Sequence, residues 1–382
     1  MLYRKFGKTN EKLSILGFGA MRLPIIEGDV KHIDEEKALK MIRHSIDLGV
    51  NYLDTAWPYH GGNSESFCGK VMQDGYRDKV KIATKLPSWE IKSPGDMDRI
   101  LDQQLERLGV ETIDFYLLHS LNAANWANMK KHDYKSFLIR SRAAGKIRYT
   151  GFSHHDDIDL FKEIVDDNDW DFCQIQLNYL DEHYQAGLEG MDYAVSKGMG
   201  VVVMEPLRGG MLARTEIPEE LQSIWDASDT KRSPAEWALR SLWDREKVGV
   251  ILSGMTTMEQ VQENLKVAGE ALPGTLTEKE NNIIGKAKDY FHSKIRVDCT
   301  NCRYCMPCPQ GVYIPEIFWA YNHEALFDDF AKAKFWTTGF LKEQQRASNC
   351  NSCGQCEKHC PQNIEIRRHL KDVAARYEAA VT

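Results

Sequence analysis

Short apolar runs alternate with helix-forming segments along the first three quarters of the chain. Eight runs, rich in β-branched and apolar side chains, predict strands at residues 15–20, 51–56, 80–86, 113–119, 149–153, 171–178, 200–206 and 249–254. Between the runs, apolar residues recur every three or four positions, which is the spacing of one helix face. Residues 35–48 and 96–108 show this most clearly. The pattern therefore predicts strands that alternate with helices.

The residues at the ends of the predicted helices agree with this division. Ser233 and Pro234 open a helix, with serine as the N-cap and proline at the first helical position. Gly109, Gly145 and Gly198 stand where helices should end, and glycine readily adopts the left-handed conformation found there.

Alternating strands and helices predict a parallel sheet covered by helices. Eight such units in about 250 residues match the size of an α/β protein of the (β/α)8 TIM-barrel type, and a doubly wound sheet is the alternative. Residues 2–5 and 12–15 flank a Gly-Lys-Thr-Asn turn and predict an N-terminal hairpin that plugs the bottom of the barrel. We expect the barrel domain to comprise residues 1–287.

Eight of the ten cysteines form two short runs near the C-terminus. The first run is Cys299, Cys302, Cys305 and Cys308, and the second is Cys350, Cys353, Cys356 and Cys360. Both end in Cys-Pro; the second has the C-x2-C-x2-C-x3-C-P spacing of bacterial ferredoxins, and the first is one residue shorter in its last gap. Two such runs predict two [4Fe–4S] clusters in a small, mainly helical, ferredoxin-like domain at residues 288–382.

In two-cluster ferredoxins the fourth cysteine of each run ligates the other cluster. We therefore expect one cluster on Cys299, Cys302, Cys305 and Cys360, and the second on Cys350, Cys353, Cys356 and Cys308. Zinc is an alternative that usually takes separated C-x-x-C pairs, and disulfides are another. The remaining cysteines, Cys68 and Cys173, lie in apolar sequence and are expected to be buried.

Composition and charge exclude some classes of partner. The chain has 382 residues and a net charge of −7, so it lacks the basic footprint of a nucleic-acid-binding protein. Its apolar stretches are too short to span a bilayer, and we expect no membrane partner. The first residues carry no apolar signal segment, so we expect the reducing cytoplasm, where a cysteine cluster favours metal over disulfides.

Four ionisable residues fall at or just after the ends of neighbouring predicted strands. Asp54, Lys85 and His119 stand at the ends of strands two, three and four, and Tyr59 follows strand two. Catalytic groups of (β/α)8 barrels lie at these strand ends. An ammonium group beside a phenol favours the phenolate and makes the phenol a better proton donor near neutral pH. With a carboxylate to hold the lysine and a histidine to donate to a carbonyl oxygen, the set suits carbonyl reduction; four structural residues are the alternative.

The segments around these residues resemble the aldo-keto reductase family. The resemblance is carried by residues 51–65, 81–85, 105–109 and 113–119 and extends to about residue 275. The family's catalytic tetrad matches Asp54, Tyr59, Lys85 and His119 without substitution. This implies Tyr59 as general acid, Lys85 and Asp54 as the groups that tune it, and His119 as the group that orients the carbonyl. The whole chain resembles the bacterial and archaeal branch with a C-terminal ferredoxin-like domain.

A nicotinamide cofactor is implied by this resemblance alone. No complete G-x-G-x-x-G motif follows a predicted strand, so no motif of the sequence indicates the cofactor independently. The family pattern assigns the carboxamide contacts to Ser153, His154 and Gln176, with His154 in place of the usual Asn. It assigns the pyrophosphate loop to Pro206, Leu207, Arg208, Gly209 and Gly210. It assigns the adenosine site to Ser253, Gly254, Thr256, Thr257, Gln260, Glu263 and Asn264.

The predicted adenosine segment favours NADH over NADPH. NADPH-preferring relatives usually place Lys or Arg in this segment and at the position of Gln260, but no basic residue occurs from Ser253 to Asn264. Recognition of a 2′-phosphate usually uses such residues. NADPH is the alternative, through backbone and hydroxyl contacts.

Three tryptophans that follow strand ends are candidates for the substrate pocket: Trp57, Trp89 and Trp126. Aromatic walls around a polar tetrad suit a small carbonyl compound, and packing against helix ends is the alternative. An aromatic-rich stretch at residues 318–340 is expected to pack between the small domain and the barrel, or to dock a redox partner protein.

The two halves of the chain differ in how they move electrons. Nicotinamide delivers two electrons as hydride, a [4Fe–4S] cluster moves one at a time, and we find no flavin motif to bridge them. Three functions are compatible: a carbonyl reductase with structural or redox-sensing clusters, an oxidoreductase whose clusters exchange electrons with a partner or a radical-forming substrate, and a ferredoxin-like carrier on an inactive barrel. The intact tetrad argues against the third.

Overall fold

A short antiparallel hairpin opens the chain in the computed structural model, which describes residues 1–378. Its strands are β1 (Tyr3–Lys5) and β2 (Lys12–Ser14). Phe6 follows β1 and is fully buried, with its ring centre 5.6 Å from that of Phe115 and 6.0 Å from that of Phe172. The hairpin thus inserts an aromatic ring among side chains of the barrel strands, as the predicted plug requires.

Eight parallel strands then close into a barrel. They are β3 (Leu16–Gly19), β4 (Tyr52–Asp54), β5 (Lys81–Pro87), β6 (Ile113–Leu121), β7 (Ile147–His154), β8 (Phe172–Gln176), β9 (Gly200–Met204) and β10 (Val250–Ser253). Neighbours pair in chain order, and β10 closes the barrel on β3. The predicted (β/α)8 barrel is confirmed, and each strand overlaps one of the eight predicted runs.

The register of the sheet places the ends of β4, β5 and β6 at one rim. Asp54 pairs with Ala83, and Pro87 pairs with His119. Because the strands are parallel, their C-terminal ends share this rim. Asp54, Lys85 and His119 therefore reach the same end of the barrel.

Helices follow the strands along the chain. They are α1 (Glu35–Asp47), α2 (Ser64–Val71), α3 (Pro94–Leu108), α4 (Ala123–Lys131), α5 (Tyr134–Ala143), α6 (Ile158–Asp167), α7 (Gly187–Ser196), α8 (Glu219–Asp226), α9 (Pro234–Trp243) and α10 (Met258–Glu270). Two of the predicted helix boundaries are confirmed. Gly109 ends α3 with a φ of +63°. Ser233 Oγ accepts a 3.0 Å hydrogen bond from the Glu236 N–H at the start of α9.

The C-terminal region is mainly helical, as predicted. Its helices are α11 (Glu278–Lys294), α12 (Ile314–Phe327), α13 (Phe330–Lys334), α14 (Gln355–Lys358) and α15 (Ile366–Val373). It has its own buried core, which includes Val312, Ile317, Phe318, Leu370 and Val373. None of the helices within residues 1–378 has the length and apolar character needed to cross a membrane.

The structure divides into two compact units. The first unit comprises residues 1–206 and 238–276, and the second comprises, among the described residues, 207–237 and 277–378. Contacts within the second unit explain why residues 207–237 and α11 belong to it. Arg208 Nη2 lies 2.6 Å from Asp298 Oδ1, and the Tyr290 hydroxyl donates a 3.1 Å hydrogen bond to the Leu326 carbonyl oxygen.

Candidate active site and cysteine-lined cavities

A buried ion pair lies at the C-terminal ends of β4 and β5. Lys85 Nζ lies 2.7 Å from both carboxylate oxygens of Asp54 and donates a 2.8 Å hydrogen bond to the Thr55 carbonyl oxygen. The Lys85 side chain is fully buried, and that of Asp54 nearly so. Burial lowers the pKa of Lys85 and raises the pKa of Asp54, while their contact acts in the opposite direction on each. Because three acceptor oxygens surround the Lys85 ammonium group, we infer that both Lys85 and Asp54 are charged.

Tyr59 and His119 lie beside this pair. Lys85 Nζ is 5.2 Å from the centre of the Tyr59 ring, which is 6.2 Å from the centre of the His119 ring. Both rings are buried, with 8 % of Tyr59 and 3 % of His119 exposed. The structure therefore brings the four predicted catalytic residues together at one rim of the barrel.

His119 is held as a neutral imidazole. Burial lowers its pKa well below the usual range, and the nearby Lys85 and His155 lower it further. A neutral imidazole carries one N–H that it can donate. The Trp89 ring lies 5.1 Å from the His119 ring and is 37 % exposed, so it forms an open aromatic wall next to the tetrad.

A buried hydrogen-bond network fixes the backbone that carries Lys85. Glu65 Oε1 accepts hydrogen bonds from Thr84 Oγ1 at 2.7 Å and Gln104 Nε2 at 2.6 Å, and Arg107 Nη1 lies 3.0 Å from Glu65 Oε2. Gln104 Nε2 also donates to the Lys85 carbonyl oxygen at 3.0 Å. Our sequence analysis assigned these residues no role. The feature of the sequence that could have indicated the network is Glu65, a charged residue on the buried face of α2.

Two of the predicted carboxamide residues are buried and already hydrogen-bonded. Ser153 Oγ accepts a 2.7 Å hydrogen bond from the Ser120 N–H. Gln176 Nε2 donates a 2.8 Å hydrogen bond to Asp181 Oδ2. These contacts orient both side chains at the ends of β7 and β8.

The third predicted carboxamide residue, His154, faces its own loop. Its Nε2 lies 2.9 Å from the Asp156 carbonyl oxygen and 3.0 Å from the Asp157 carbonyl oxygen. Nε2 therefore contacts the turn that leads into α6. Its Nδ1 is buried without a hydrogen-bond partner, and the carboxamide contact of His154 stays a prediction.

The predicted adenosine segment folds into the start of α10. Gln260 Oε1 accepts a 2.8 Å hydrogen bond from the Thr256 N–H, and Gln260 forms a capping box with Thr257. Asn264 Nδ2 donates a 2.9 Å hydrogen bond to Ser253 Oγ. Gln260 stands where NADPH-preferring relatives have a basic residue, and its side chain caps the helix.

Arg22 is a cation beside this segment that our sequence analysis missed. Thr256 Oγ1 donates a 3.0 Å hydrogen bond to the Arg22 carbonyl oxygen, and a Cβ on Gly254 would lie 3.1–3.2 Å from carbons of the Arg22 side chain. Arg22 Nη2 lies 3.6 Å from Glu205 Oε1. The position of Arg22 could have been predicted from closure of the barrel. Because β10 pairs with β3, the loop after β3 lies next to the loop after β10.

The last four residues of the predicted pyrophosphate loop belong to the second unit. Gly209 and Gly210 have φ angles of +68° and +92°, which side-chain-bearing residues rarely adopt. Arg208 is buried and paired with Asp298. The Thr300 carbonyl oxygen lies so close to Gly209 that an added Cβ would come within 2.1 Å of it. The loop therefore contacts the segment that leads into the first cysteine run.

The eight clustered cysteines surround two separate cavities of the second unit. One is lined by Cys299, Cys302, Cys305 and Cys360, and the other by Cys308, Cys350, Cys353 and Cys356. The last cysteine of each run thus lies among the first three of the other run. In the described part of the chain, no three histidine, cysteine or carboxylate side chains are grouped so as to hold a single metal ion. Cys68 and Cys173 are buried in the first unit.

Of the three candidate pocket tryptophans, Trp89 contacts the tetrad through His119. Trp57 stacks on Arg107, whose guanidinium carbon is 3.8 Å from the ring centre. Trp126 is 2 % exposed, and its indole N–H donates a 2.7 Å hydrogen bond to Glu163. Trp57 and Trp126 therefore contact charged residues of α3 and α6, and their pocket role stays a prediction.

Family comparisons agree with the predicted barrel and with a C-terminal iron–sulfur domain. The aldo/keto reductase family model matches residues 15–288, and the 4Fe-4S dicluster domain model matches residues 298–365. The chain belongs to the aldo/keto reductase family, a family of oxidoreductase enzymes, and carries a C-terminal 4Fe-4S dicluster domain.

Individual relatives are dehydrogenases and reductases. L-galactose dehydrogenase of Arabidopsis thaliana is 27 % identical over 288 residues, which cover 70 % of this chain and 88 % of the relative. The NADH-specific methylglyoxal reductase of Escherichia coli (strain K12) is 25 % identical over 308 residues, which cover 68 % and 91 %. The solved structure of aldo-keto reductase AKR11C1 from Bacillus halodurans (holo form) matches with a TM-score of 0.63 and 28 % identity, covering 75 % of this chain and 96 % of that one.

Proposed function

We propose that this protein reduces a small aldehyde or ketone to the alcohol, or catalyses the reverse oxidation, with a nicotinamide dinucleotide as the hydride carrier. The observation that carries the proposal is the buried Lys85–Asp54 pair, with Lys85 Nζ 5.2 Å from the Tyr59 ring and the neutral His119 beside it. Methylglyoxal, named in a relative, is a suitable first test substrate because the open wall at Trp89 suits a small carbonyl compound.

In this proposal each member of the tetrad has one role. Tyr59 donates its hydroxyl proton to the carbonyl oxygen, and in the oxidation the phenolate takes it back. The Lys85 ammonium stabilises the phenolate, and Asp54 holds that ammonium in place. His119 donates its N–H to the carbonyl oxygen and so orients the substrate. The bound nicotinamide supplies the hydride to the carbonyl carbon.

Residues of the chain fit the parts of a dinucleotide. Ser153 and Gln176 are buried hydrogen-bonding groups suited to a carboxamide. The loop at residues 206–210 has two glycines in left-handed conformations, and backbone N–H groups in such turns suit phosphate. NADH is the proposed cofactor, because residues 253–264 carry no cation and the nearby Arg22 faces Glu205. NADPH stays the alternative.

We further propose two [4Fe–4S] clusters, one on Cys299, Cys302, Cys305 and Cys360 and one on Cys350, Cys353, Cys356 and Cys308. Four thiols around each cavity fit the ligand requirement of such a cluster, and the dicluster family match supports the number. Thiolate ligands need reducing conditions, so we place the protein in the cytoplasm. In the main proposal the clusters have a structural or sensing role.

A second candidate function is electron exchange between the clusters and a redox partner protein or a radical-forming substrate. The observation that favours it is the exposure of Cys353, which would bring the second cluster close to the protein surface. One-electron transfer to a docked partner needs such a position.

The tetrad assignment is tested with Tyr59→Phe, which removes the proton donor and leaves the ring. We expect kcat for methylglyoxal reduction to fall about 10²–10⁴-fold, the usual contribution of general acid catalysis, while nucleotide binding stays unchanged. The matched control is Tyr76→Phe, whose hydroxyl bonds Asp47 at the surface. Unchanged turnover in Tyr59→Phe would remove Tyr59 from the mechanism.

The two functions are separated by adding NADH to anaerobic protein without a carbonyl compound. Electron paramagnetic resonance (EPR) reports the redox state of the clusters. If the clusters stay oxidised while added carbonyl compounds still consume NADH, the clusters lie outside the hydride path. If NADH reduces the clusters, the electron-transfer function replaces the main proposal.

A further inference from the structure

The Lys85 ammonium group lies near a second buried carboxylate, that of Glu65. Glu65 belongs to α2 and is fully buried. Burial lowers the pKa of Lys85, whereas the charge of Asp54 and, more weakly, that of Glu65 raise it. The proposed mechanism gives Asp54 the task of holding Lys85 and leaves Glu65 without a task. Glu65 is thus a buried charge that acts on the tetrad from outside it.

Three hydrogen-bond donors hold the Glu65 carboxylate. Oε1 accepts hydrogen bonds from Thr84 Oγ1 at 2.7 Å and from Gln104 Nε2 at 2.6 Å. Arg107 Nη1 lies 3.0 Å from Oε2. The Tyr116 hydroxyl donates a 2.8 Å hydrogen bond to Gln104 Oε1, so the amide of Gln104 directs its NH2 group at Glu65. The carboxylate therefore has the hydrogen bonds and the cation that a buried charge requires.

Arg107 connects Glu65 to the loop that carries Tyr59. Its guanidinium carbon lies 3.8 Å from the centre of the Trp57 ring, and Trp57 precedes Tyr59 by two positions. The Arg107 side chain is 31 % exposed, whereas that of Glu65 is shielded from water. A guanidinium group that contacts both an aromatic face and a carboxylate is held from two sides. The pair therefore has a defined position relative to both Lys85 and the Tyr59 loop.

We propose that Glu65 and Arg107 are positioning residues that set how readily Tyr59 gives up its proton. Glu65 reduces the positive potential that Lys85 exerts on the phenol, and Arg107 limits this effect because it compensates the charge of Glu65. The inference rests on the proposed function, in which Tyr59 is the proton donor. Both residues act through Lys85 and its surroundings.

Other ionisable groups lie around Tyr59 and Glu65. They are His60 in the Tyr59 loop, Cys68 of α2, Tyr116 and His119 of β6, and His155 after β7. Burial lowers the pKa of the three histidines and raises the pKa of Cys68 and Tyr116. These groups are therefore neutral at and moderately above neutral pH, so they do not mask a change at Tyr59.

The sign of each substitution follows from charge. Glu65→Gln removes a negative charge near Lys85, so the Tyr59 phenolate forms more readily. Arg107→Met leaves Glu65 without its cation, so the phenolate forms less readily. We expect the pH of half-ionisation to fall in the first variant and to rise in the second, each by about 0.5–1 pH unit. Loosened packing would instead change both variants in the same direction.

The test is a pH titration of tyrosinate absorbance in the full, anaerobic protein without nucleotide. Subtracting the titration of the same protein with Tyr59→Phe isolates the ionisation of Tyr59 from that of the other tyrosines. In single turnovers with NADH and methylglyoxal, the alkaline limb of the hydride-transfer rate should shift by the same amount. Asp98→Asn removes an exposed carboxylate of α3 that pairs with Arg140, and as the control it should shift neither curve.

Opposite shifts in the two variants, with a return towards the parent value in Glu65→Gln/Arg107→Met, support the proposal. Shifts of the same sign, or no shift, overturn it. If Arg107→Met does not fold, Glu65→Gln and the double variant decide, and an unchanged titration in Glu65→Gln overturns the proposal. Full turnover in Tyr59→Phe would instead refute the proposed function, and the absorbance titration alone would then decide whether Glu65 acts on Tyr59.

Discussion

Lys85 and Asp54 form a charged pair that the barrel removes from water. Such a pair is stable only when the geometry is good and the remaining donors are satisfied, and here Nζ has three acceptor oxygens within 2.8 Å. Removing one partner leaves the other charge buried and alone. Catalysis and stability therefore depend on the same two residues.

Lys85→Met should destabilise the protein by about 3–5 kcal/mol, because Asp54 keeps a buried charge without a partner. The double variant Lys85→Met/Asp54→Asn should recover most of the stability and none of the activity. Urea unfolding and methylglyoxal turnover measure the two effects. Equal instability in both variants would show that the loss does not come from the unpaired charge.

Glu205→Gln should shift cofactor preference towards NADPH. The substitution removes the negative charge 3.6 Å from Arg22 Nη2, so the guanidinium group attracts the 2′-phosphate more strongly. A charge-assisted hydrogen bond of about 1.5 kcal/mol corresponds to about tenfold in affinity. Dissociation constants for NADPH and NADH, measured by fluorescence quenching, give the preference. Arg22→Gln serves as the control. If both cofactors change equally, Arg22 binds a group that the two share.

Buried histidines should make the protein less stable in acid. Burial lowers the pKa of His155 to about 3, whereas an unfolded histidine has a pKa near about 6.5. Between these values the unfolded chain binds a proton that the native state does not, so the free energy of unfolding falls as pH falls, by up to about 1.4 kcal/mol per pH unit. Urea unfolding at about pH 7.5 and about pH 5.5 should show a smaller difference in His155→Gln than in the parent protein; the same difference in both would contradict the assignment.

At the scale of elements, strand order and the hairpin shape the first unit. The hairpin contributes Phe6, whose ring also lies against Gly200 and Gly249, where an added Cβ would come within 2.6–2.8 Å of it. Those glycines leave space for the ring. The hairpin is therefore part of the barrel core rather than an appendage.

Phe6→Ala should destabilise the protein by about 3–5 kcal/mol, the usual cost of truncating a fully buried phenylalanine. Ile139→Ala, at a side chain that is 69 % exposed, should change stability by less than about 0.5 kcal/mol. Chemical unfolding of both variants measures this. A small effect in Phe6→Ala would show that the hairpin does not plug the barrel.

At the scale of the whole molecule, the two units do not follow the order of the chain. Helix α8 and helix α11 pack together in the second unit, although the chain between them enters the first unit. A cut after residue 287 divides α11 and removes the buried Tyr290 and Phe291. Whether residues 1–287 fold as a separate domain is therefore a question for experiment.

A chain ending at residue 287 should unfold at lower urea concentration than the full protein and bind a hydrophobic dye. The physical reason is that Leu221 and Trp225 of α8, which are buried in the full chain, lose part of their cover. A chain ending at residue 378 is the control. A stable, dye-free fragment 1–287 would show that the predicted boundary is the functional one.

The sequence by itself determined the barrel, the strand ends that carry the four candidate catalytic residues, and the cysteine runs. Apolar periodicity records which face of each element is buried, and eight strand–helix units leave few ways to close a sheet. Asp54, Lys85 and His119 were predictable because strand ends are local features and parallel strands share a rim. The cysteine spacing is local in the same sense.

Only the tertiary structure decided which distant residues meet. Arg22 reaches the segment at residues 253–264 because the first barrel strand pairs with the last, and Arg208 meets Asp298 because residues 207–237 belong to the second unit. The hydrogen-bond partners of His154 and Trp126 were likewise not predictable from the sequence, because loop and helix packing sets them. A local pattern fixes what a residue can do, whereas contacts between segments far apart in the chain depend on how the whole chain closes.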